Sequence, residues 1–249
     1  MGGMHQDFLP PTIAVLTGAG ISKESGIDTF RDKGGVWMRV NLEEVATIDA
    51  WHRDKKKVLD FYNDTRRMLT AAHVVPNAAH KALAALERAY EGEVVVITQN
   101  IDPLHEQAGS RHVLHMHGRD GEIRCMSCNS VFESDVDLTP ESVCANCKAV
   151  GELRPNIVWF GEMPMHMDEI YSALERCGLF LSIGTSGEVY PAAGFVLHVR
   201  RRAPRAHTVE LNLEPSGNQP LFQEHIYGPA TKTVPAYVER VLTRGWTQP

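Results

Sequence analysis

Short apolar runs alternate with longer stretches of helical periodicity along most of the chain. Residues 13–16, Ile-Ala-Val-Leu, read as a fully buried strand, and further β runs fall at 93–98, 112–117, 179–183 and 207–211. Helical patterns lie between several of them, at 167–176, 192–202 and 234–242, and the stretch from about 40 to 91 is helical in character. In its last helix Ala79, Ala82, Leu83, Leu86 and Tyr90 share one face, with Asn77 placed to cap it and Gly92 to end it. Strand and helix in alternation predict an α/β fold: a parallel sheet with helices on both faces, its ligands gathered at the carboxyl ends of the strands.

The chain has 249 residues, 43% hydrophobic and 22% charged, and a formal net charge of −6. That composition is globular and long enough for a sizeable core without disulfide staples. The acidic balance disfavours a dedicated nucleic-acid binder, because affinity for a polyanion comes largely from Lys and Arg. The longest uninterrupted apolar run is the five residues 82–86, far short of the roughly 20 that a membrane span needs. With no secretory or transit pattern among the first eleven residues, the expected location is cytoplasmic.

Five cysteines in a reducing compartment point away from disulfides. Four of them, Cys125-x-x-Cys128 and Cys144-x-x-Cys147, are separated by fifteen residues, the spacing of a tetrahedral zinc site. Four thiolates fill the shell, so this zinc is expected to be structural. The block carries two cations against five acids between residues 121 and 150, which argues against a zinc ribbon that grips nucleic acid. Cys177 is left over and reads as a small core residue in a helical stretch.

Thr17-Gly-Ala-Gly20-Ile-Ser22 follows the first strand as a glycine-rich turn opening a helix, the layout of a phosphate cradle. The full dinucleotide fingerprint fails, since Lys23 stands where a third glycine belongs. On its own the turn could be a tight strand-to-helix connection with no ligand. Polar clusters after the other strands strengthen it: Thr98-Gln-Asn-Ile-Asp102, His115-Met-His-Gly118, Gly184-Thr-Ser186 and Asn212-Leu-Glu214.

Together with Ser25-Gly-Ile-Asp-Thr-Phe-Arg31, Val158-Trp-Phe-Gly-Glu162, Gly228-Pro-Ala230 and the four cysteines, these motifs run in family order from residue 13 to 230 and resemble a sirtuin, an NAD-dependent protein-lysine deacylase, most of all the bacterial desuccinylase-type class. The resemblance implies a Rossmann-like NAD-binding domain at 1–37, 93–120 and 154–249. A helical insertion at 38–92 and a zinc-ribbon module at 121–153 would pack as one small domain. NAD is consumed as a cosubstrate, and acylated-lysine proteins are the partners, with no membrane and no direct nucleic-acid contact expected.

Residue by residue, the resemblance places the NAD diphosphate over Gly18, Ala19 and Gly20. It puts Phe30 and Arg31 in a loop, running to about Trp37, that closes over the nicotinamide ribose. Gln99, Asn100, Ile101 and Asp102 hold that ribose and, at the aspartate, the carboxamide. Gly184, Thr185, Ser186, Asn212, Leu213, Glu214 and Ala230 meet the diphosphate and adenosine end. His117 matches the general base, an imidazole suited to taking a ribose proton near neutrality, and Asn100 is counted with it as catalytic. His115-x-His117 could also be read as a metal pair, but the cysteines make that unnecessary. In the implied mechanism the acyl oxygen attacks C1′ and expels nicotinamide. His117 then activates the 2′-hydroxyl by way of the 3′-hydroxyl, yielding lysine and 2′-O-acyl-ADP-ribose.

Val158, Phe160 and Gly161 on one side, and Glu188 and Val189 on the other, resemble the segments between which a substrate peptide adds as a strand. The class's Tyr-x-x-Arg acyl grip is broken: Tyr62 is present, but Thr65 stands at the arginine position and Arg66 follows it. On a helix Arg66 points roughly 100° away from that direction. Deacetylation is therefore expected to outrun desuccinylation. Pro103 replaces a common glycine and suits the first position of a helix capped by Asp102; Asp28 replaces a common proline. Mono-ADP-ribosyl transfer, NAD hydrolysis and noncatalytic binding are the competing readings.

Overall fold

The structure, a computed structural model, describes residues 10–28 and 41–246. Its centre is a six-stranded parallel sheet of β1 (Thr12–Thr17), β2 (Val94–Thr98), β3 (Val113–His115), β7 (Cys177–Ile183), β8 (His207–Asn212) and β9 (Glu224–Tyr227), in the order β3-β2-β1-β7-β8-β9. From β1 the chain first builds outward through β2 and β3, then returns to the other side of β1 with β7. The strand order reverses there, and the crevice at β1 and β7 is where such sheets bind ligands.

Alternation along the central strands feeds two cores. Ala14, Leu16, Val95, Ile97 and Phe180 pack beneath α5 (Met167–Arg176) and α6 (Phe195–Arg202). Ile13, Val15, Leu179 and Leu181 pack on the other face beneath α3 (Ala78–Ala89) and α7 (Ala230–Arg244). Although α3 lies inside the helical stretch 38–92, its apolar residues Ala79, Leu83 and Leu86 cover the sheet. Asn77 caps it, the side chain accepting from Ala79 N, and His80 completes a capping box by accepting from Asn77 N.

A three-stranded antiparallel sheet, β5-β4-β6, is made by β4 (Gly118–Cys125), β5 (Val131–Glu133) and β6 (Leu153–Ile157). It shares a third core with α1 (Ile48–Arg53) and α2 (Lys55–Leu69), in which Trp51, Val58, Leu59 and Tyr62 meet Cys125, Cys144, Leu153 and Trp159.

Three local expectations are corrected. Cys177 is not helical; it opens β7, buried, with its thiol donating to Leu174 O. The glycine turn does not open an α-helix: two 3-10 turns follow, Ala19–Ile21 and Lys23–Ser25, the second stopped by Gly26 at φ +90°. Residues 192–194 form a 3-10 turn, and the α-helix starts only at Phe195.

Candidate active site

Two glycine loops meet at the sheet's switch point. Gly18 N donates to Ile183 O and Gly20 N to Gly184 O, so the loop after β1 is stitched to the end of β7. A Cβ on Gly184, which sits at φ +63°, would lie 2.5 Å from Ile21 N and 2.7 Å from Gly20 C. These glycines are therefore needed first for backbone-to-backbone approach between the loops. Two of the three amides assigned to the diphosphate are already engaged; Ala19 N has no acceptor among the described residues.

Beneath this turn lies a directed polar chain. His80 Nδ1 accepts from Asn77 N, so its neutral ring carries the proton on Nε2, 3.3 Å from Ser22 Oγ. Ser22 Oγ also accepts from Asn100 Nδ2 and donates to Asp102 Oδ2 at 3.0 Å. Asn100 Nδ2 reaches Gly18 O as well, tying the loop after β2 to the glycine turn. Asp102 Oδ1 accepts from Leu104 N at the start of α4 (Leu104–Gln107). That helix begins one residue later than expected, with Pro103 at its N-cap. Burial raises the Asp102 carboxyl above its usual value, against the pull of Leu104 N and Ser22. Spare lone pairs on both oxygens still suit an amide donor.

Burial lowers His80 to about 4. Burial also holds His105 well below its usual value, helped by the neighbouring rings of His80 and His115. His105 Nε2 meets Thr17 Oγ1 at 3.0 Å. Thr17 and Ser22 belong to the glycine-turn motif but were given no role of their own, and His80 and His105 fell in no motif, because these partners lie 58 to 88 residues apart in sequence. Asn77-x-x-His80 at a helix start was the one available signal.

His117 lies just past β3, its Nδ1 3.1 Å from Gln99 O. A carbonyl only accepts, so Nδ1 carries the proton and Nε2 keeps the lone pair a base requires. Burial lowers its pKa, and the Gln99 carbonyl offsets part of that shift. His115 instead turns to Asn100 O at 3.0 Å and Glu106 Oε1 at 2.7 Å, which disposes of the two-histidine metal pair. Ile101 packs between the site and the small-module core, its carbonyl accepting from Asp120 N.

On the far side of the crevice, Thr185 is buried and its carbonyl accepts from Asn212 Nδ2 at 2.7 Å. Ser186, Leu213 and Glu214 are exposed, and Ala230 opens α7 two residues beyond Gly228, whose amide bonds Asn212 O. The sheet thus brings together the polar ends of β1, β2, β7 and β8. Phe30, Arg31 and Trp37 lie outside the described residues.

Val158 N bonds His117 O, and Phe160 N bonds Ala46 O, forming a parallel bridge with Thr47. Phe160, Gly161, Glu188 and Val189 are exposed. Tyr62 is buried, its hydroxyl accepting from Trp159 Nε1 at 2.9 Å, and burial raises its pKa. Thr65 Oγ1 turns back to Phe61 O, and Arg66 pairs with Asp137 of the cysteine-bearing module. Arg66 also lines a small cavity with Tyr62 and Asp120, whose carboxyl is pushed up to about 6 by burial despite the Arg66 charge.

The four cysteine sulfurs lie within 4.8 Å of one another, with Cys125 to Cys147 and Cys128 to Cys144 both 3.7 Å apart. Zn–S bonds of about 2.3 Å place tetrahedral thiolates about 3.8 Å apart, so the donor set fits the ion.

The Sir2 family model matches residues 18–191. An NAD-dependent protein deacylase of Caulobacter vibrioides is 52% identical over 235 residues, covering 93% of this chain and 97% of that protein. One from Trypanosoma brucei brucei is 53% identical over 232 residues, with 92% and 94% covered. Among solved structures, a Sir2 homologue in complex with NAD superposes with a TM-score of 0.83 at 37% identity, covering 93% of this chain and 91% of the other.

Proposed function

The chain belongs to the Sir2 family, and from that premise we propose that it removes acyl groups from protein lysine side chains while consuming NAD. The observation that carries this reading is the arrangement at the switch point. A backbone cradle, a carboxylate wired through Ser22, and a histidine with its Nδ1 committed to Gln99 O converge on the ends of four neighbouring strands.

NAD supplies an electrophilic anomeric carbon and a nicotinamide leaving group. The protein's part is to hold, orient and move protons. Ala19 N and the turn around it face the diphosphate, with Gly20 and Gly184 keeping the floor flat. Asp102, held by Leu104 N and Ser22, accepts from the carboxamide. Asn100, its amide nitrogen fixed on Gly18 O and Ser22, keeps its side-chain oxygen for the ribose. His117 Nε2 takes the proton of a ribose hydroxyl. Ser186, Asn212, Leu213, Glu214 and Ala230 bound the adenosine end, and Gln99 and Ile101 complete the wall beside the ribose.

Cys125, Cys128, Cys144 and Cys147 would give zinc a full protein shell, and the ion would tie the module together. The peptide enters between 158–161 and 188–189, where backbone pairing tolerates many sequences. Substrate proteins are met in the cytoplasm; no helix among the described residues is long and apolar enough to cross a membrane.

The acyl pocket favours acetyl. Thr65 supplies no cation, and Arg66 is answered by Asp137 and faced by Asp120. Loss of a charge-assisted hydrogen bond of about 1.5–3 kcal/mol weakens succinyl recognition about 10- to 150-fold. An acyl-peptide panel assayed with and without NAD tests both statements. Acetyl-peptide turnover that requires NAD and exceeds succinyl turnover is expected, and nicotinamide release that leaves acyl-lysine intact would favour NAD hydrolysis or ADP-ribosyl transfer.

A further inference from the structure

Arg154 is the most deeply buried charge beside the peptide cleft: its side chain is 0% exposed. Among the described residues its side-chain hydrogen bonds all go to residues 155–162. Nη1 and Nη2 grip Glu162 Oε1 and Oε2 at 2.8 and 3.0 Å, Nη2 also donates to Ile157 O at 2.6 Å, and Nε donates to Pro155 O at 3.3 Å. The guanidinium lies 3.1 Å from the centroid of the Trp159 ring. A fork that makes two parallel bonds while stacking on an indole is something arginine does and lysine does not.

Glu162 passes the grip onward. Its Oε2 accepts from Trp159 N at 2.7 Å, while Glu162 N returns to Trp159 O across Gly161 at φ +85°. Trp159 is 2% exposed and donates to Tyr62 on α2. With Val158 N and Phe160 N also engaged, the Gly161 amide is the one backbone donor of 158–162 without an acceptor among the described residues. Arg124, next to the ligand Cys125 and opposite Arg154 in the β4–β6 register, adds a second contact to Glu162 Oε1 at 3.2 Å.

We propose that Arg154 and Glu162 are positioning residues: a clamp through which the zinc-bearing sheet sets the shape of the 158–162 segment and thereby the affinity for the acylated peptide. The proposal rests on the deacylase reading above. It places the clamp's effect on the peptide side alone, since among the described residues no side-chain hydrogen bond of Arg154 or Glu162 reaches the glycine turn or the 98–102 loop.

The test compares wild-type protein with Arg154→Lys and Glu162→Gln, each checked for zinc content and folding, in steady-state assays that vary acetyl-peptide and NAD separately. KM for the peptide rises about tenfold or more, KM for NAD changes by less than about twofold and kcat by less than about threefold. If peptide KM stays at the wild-type value, or NAD KM rises in step with it, the clamp is refuted. Should Arg154→Lys fail to fold, Glu162→Gln decides, because that side chain is 19% exposed. Wild-type protein inactive on every acyl-peptide would remove the deacylase reading and the clamp with it; active wild type with unchanged variants removes the clamp alone.

Discussion

His117 and Thr65 carry the sharpest consequences at the scale of single residues. A base must be neutral to take a proton, and burial holds the His117 pKa below its ordinary value of 6.5. Activity as kcat/KM therefore persists as pH falls through 6.5 and declines only at lower pH. His117→Ala lowers kcat by about 10²- to 10⁴-fold. A pH profile of both proteins checks this, and an acid limb above 6.5 would contradict it. Thr65→Arg restores a cation one helical position before Arg66 and raises succinyl-peptide kcat/KM by about tenfold or more, measured against matched acetyl-peptide. The motif residues were legible because each stands in a short run of polar or glycine positions just past an apolar strand. The role of Ser22 within its motif, and His80, His105 and Arg154 altogether, were not: each acts through partners that only the fold brings near, and a lone histidine or arginine in sequence carries no mark of burial.

Among the elements, the paired glycine loops and the capped helix α3 are the most exposed to test. Gly184→Ala forces a Cβ against Ile21 N in a left-handed backbone. A cost of at least about 2 kcal/mol lowers Tm by roughly 4–8 °C in a chain this size. An unchanged Tm would show that the loops part easily. His80 binds a proton in the unfolded chain near 6.5 but in the folded chain only near about 4. The unfolded state holds more protons across that interval, so stability falls as pH drops from 6.5 and levels off below about 4. The interval corresponds to about 3 kcal/mol. Urea unfolding between pH 7 and 4 reads this slope, and His80→Gln should reduce it, leaving the part that the buried His105 and His117 contribute with the same sign; an equally steep slope would assign it to other groups. Five of the six strands of the main sheet were legible from their apolar runs, the edge strand β3 among them. β9, Glu-His-Ile-Tyr, and β4, Gly-Arg-Asp-Gly-Glu-Ile-Arg-Cys, were not, because an edge strand and a metal-held sheet need no alternating apolar face.

For the whole molecule, the small module shares its core with α1 and α2, and Cys125 and Cys144 are part of that core. Stripping zinc with a chelator therefore loosens residues 121–153 before the six-stranded sheet. Limited proteolysis is expected to cut there first, with deacylation lost in parallel and regained on adding zinc; uniform resistance with full activity would show that the metal is dispensable. The α/β architecture and the cysteine module were legible from periodicity and spacing. That the two cysteine pairs and the 40–70 helices would share one core was implied by the family resemblance alone, since no local pattern records which insertions touch. The most direct measurement of the central claim is product stoichiometry: acetyl-peptide and NAD incubated with zinc-replete protein, then analysed by mass spectrometry. Equal amounts of free lysine, nicotinamide and 2′-O-acetyl-ADP-ribose are predicted, and acetate with plain ADP-ribose, or lysine freed without NAD, would contradict it.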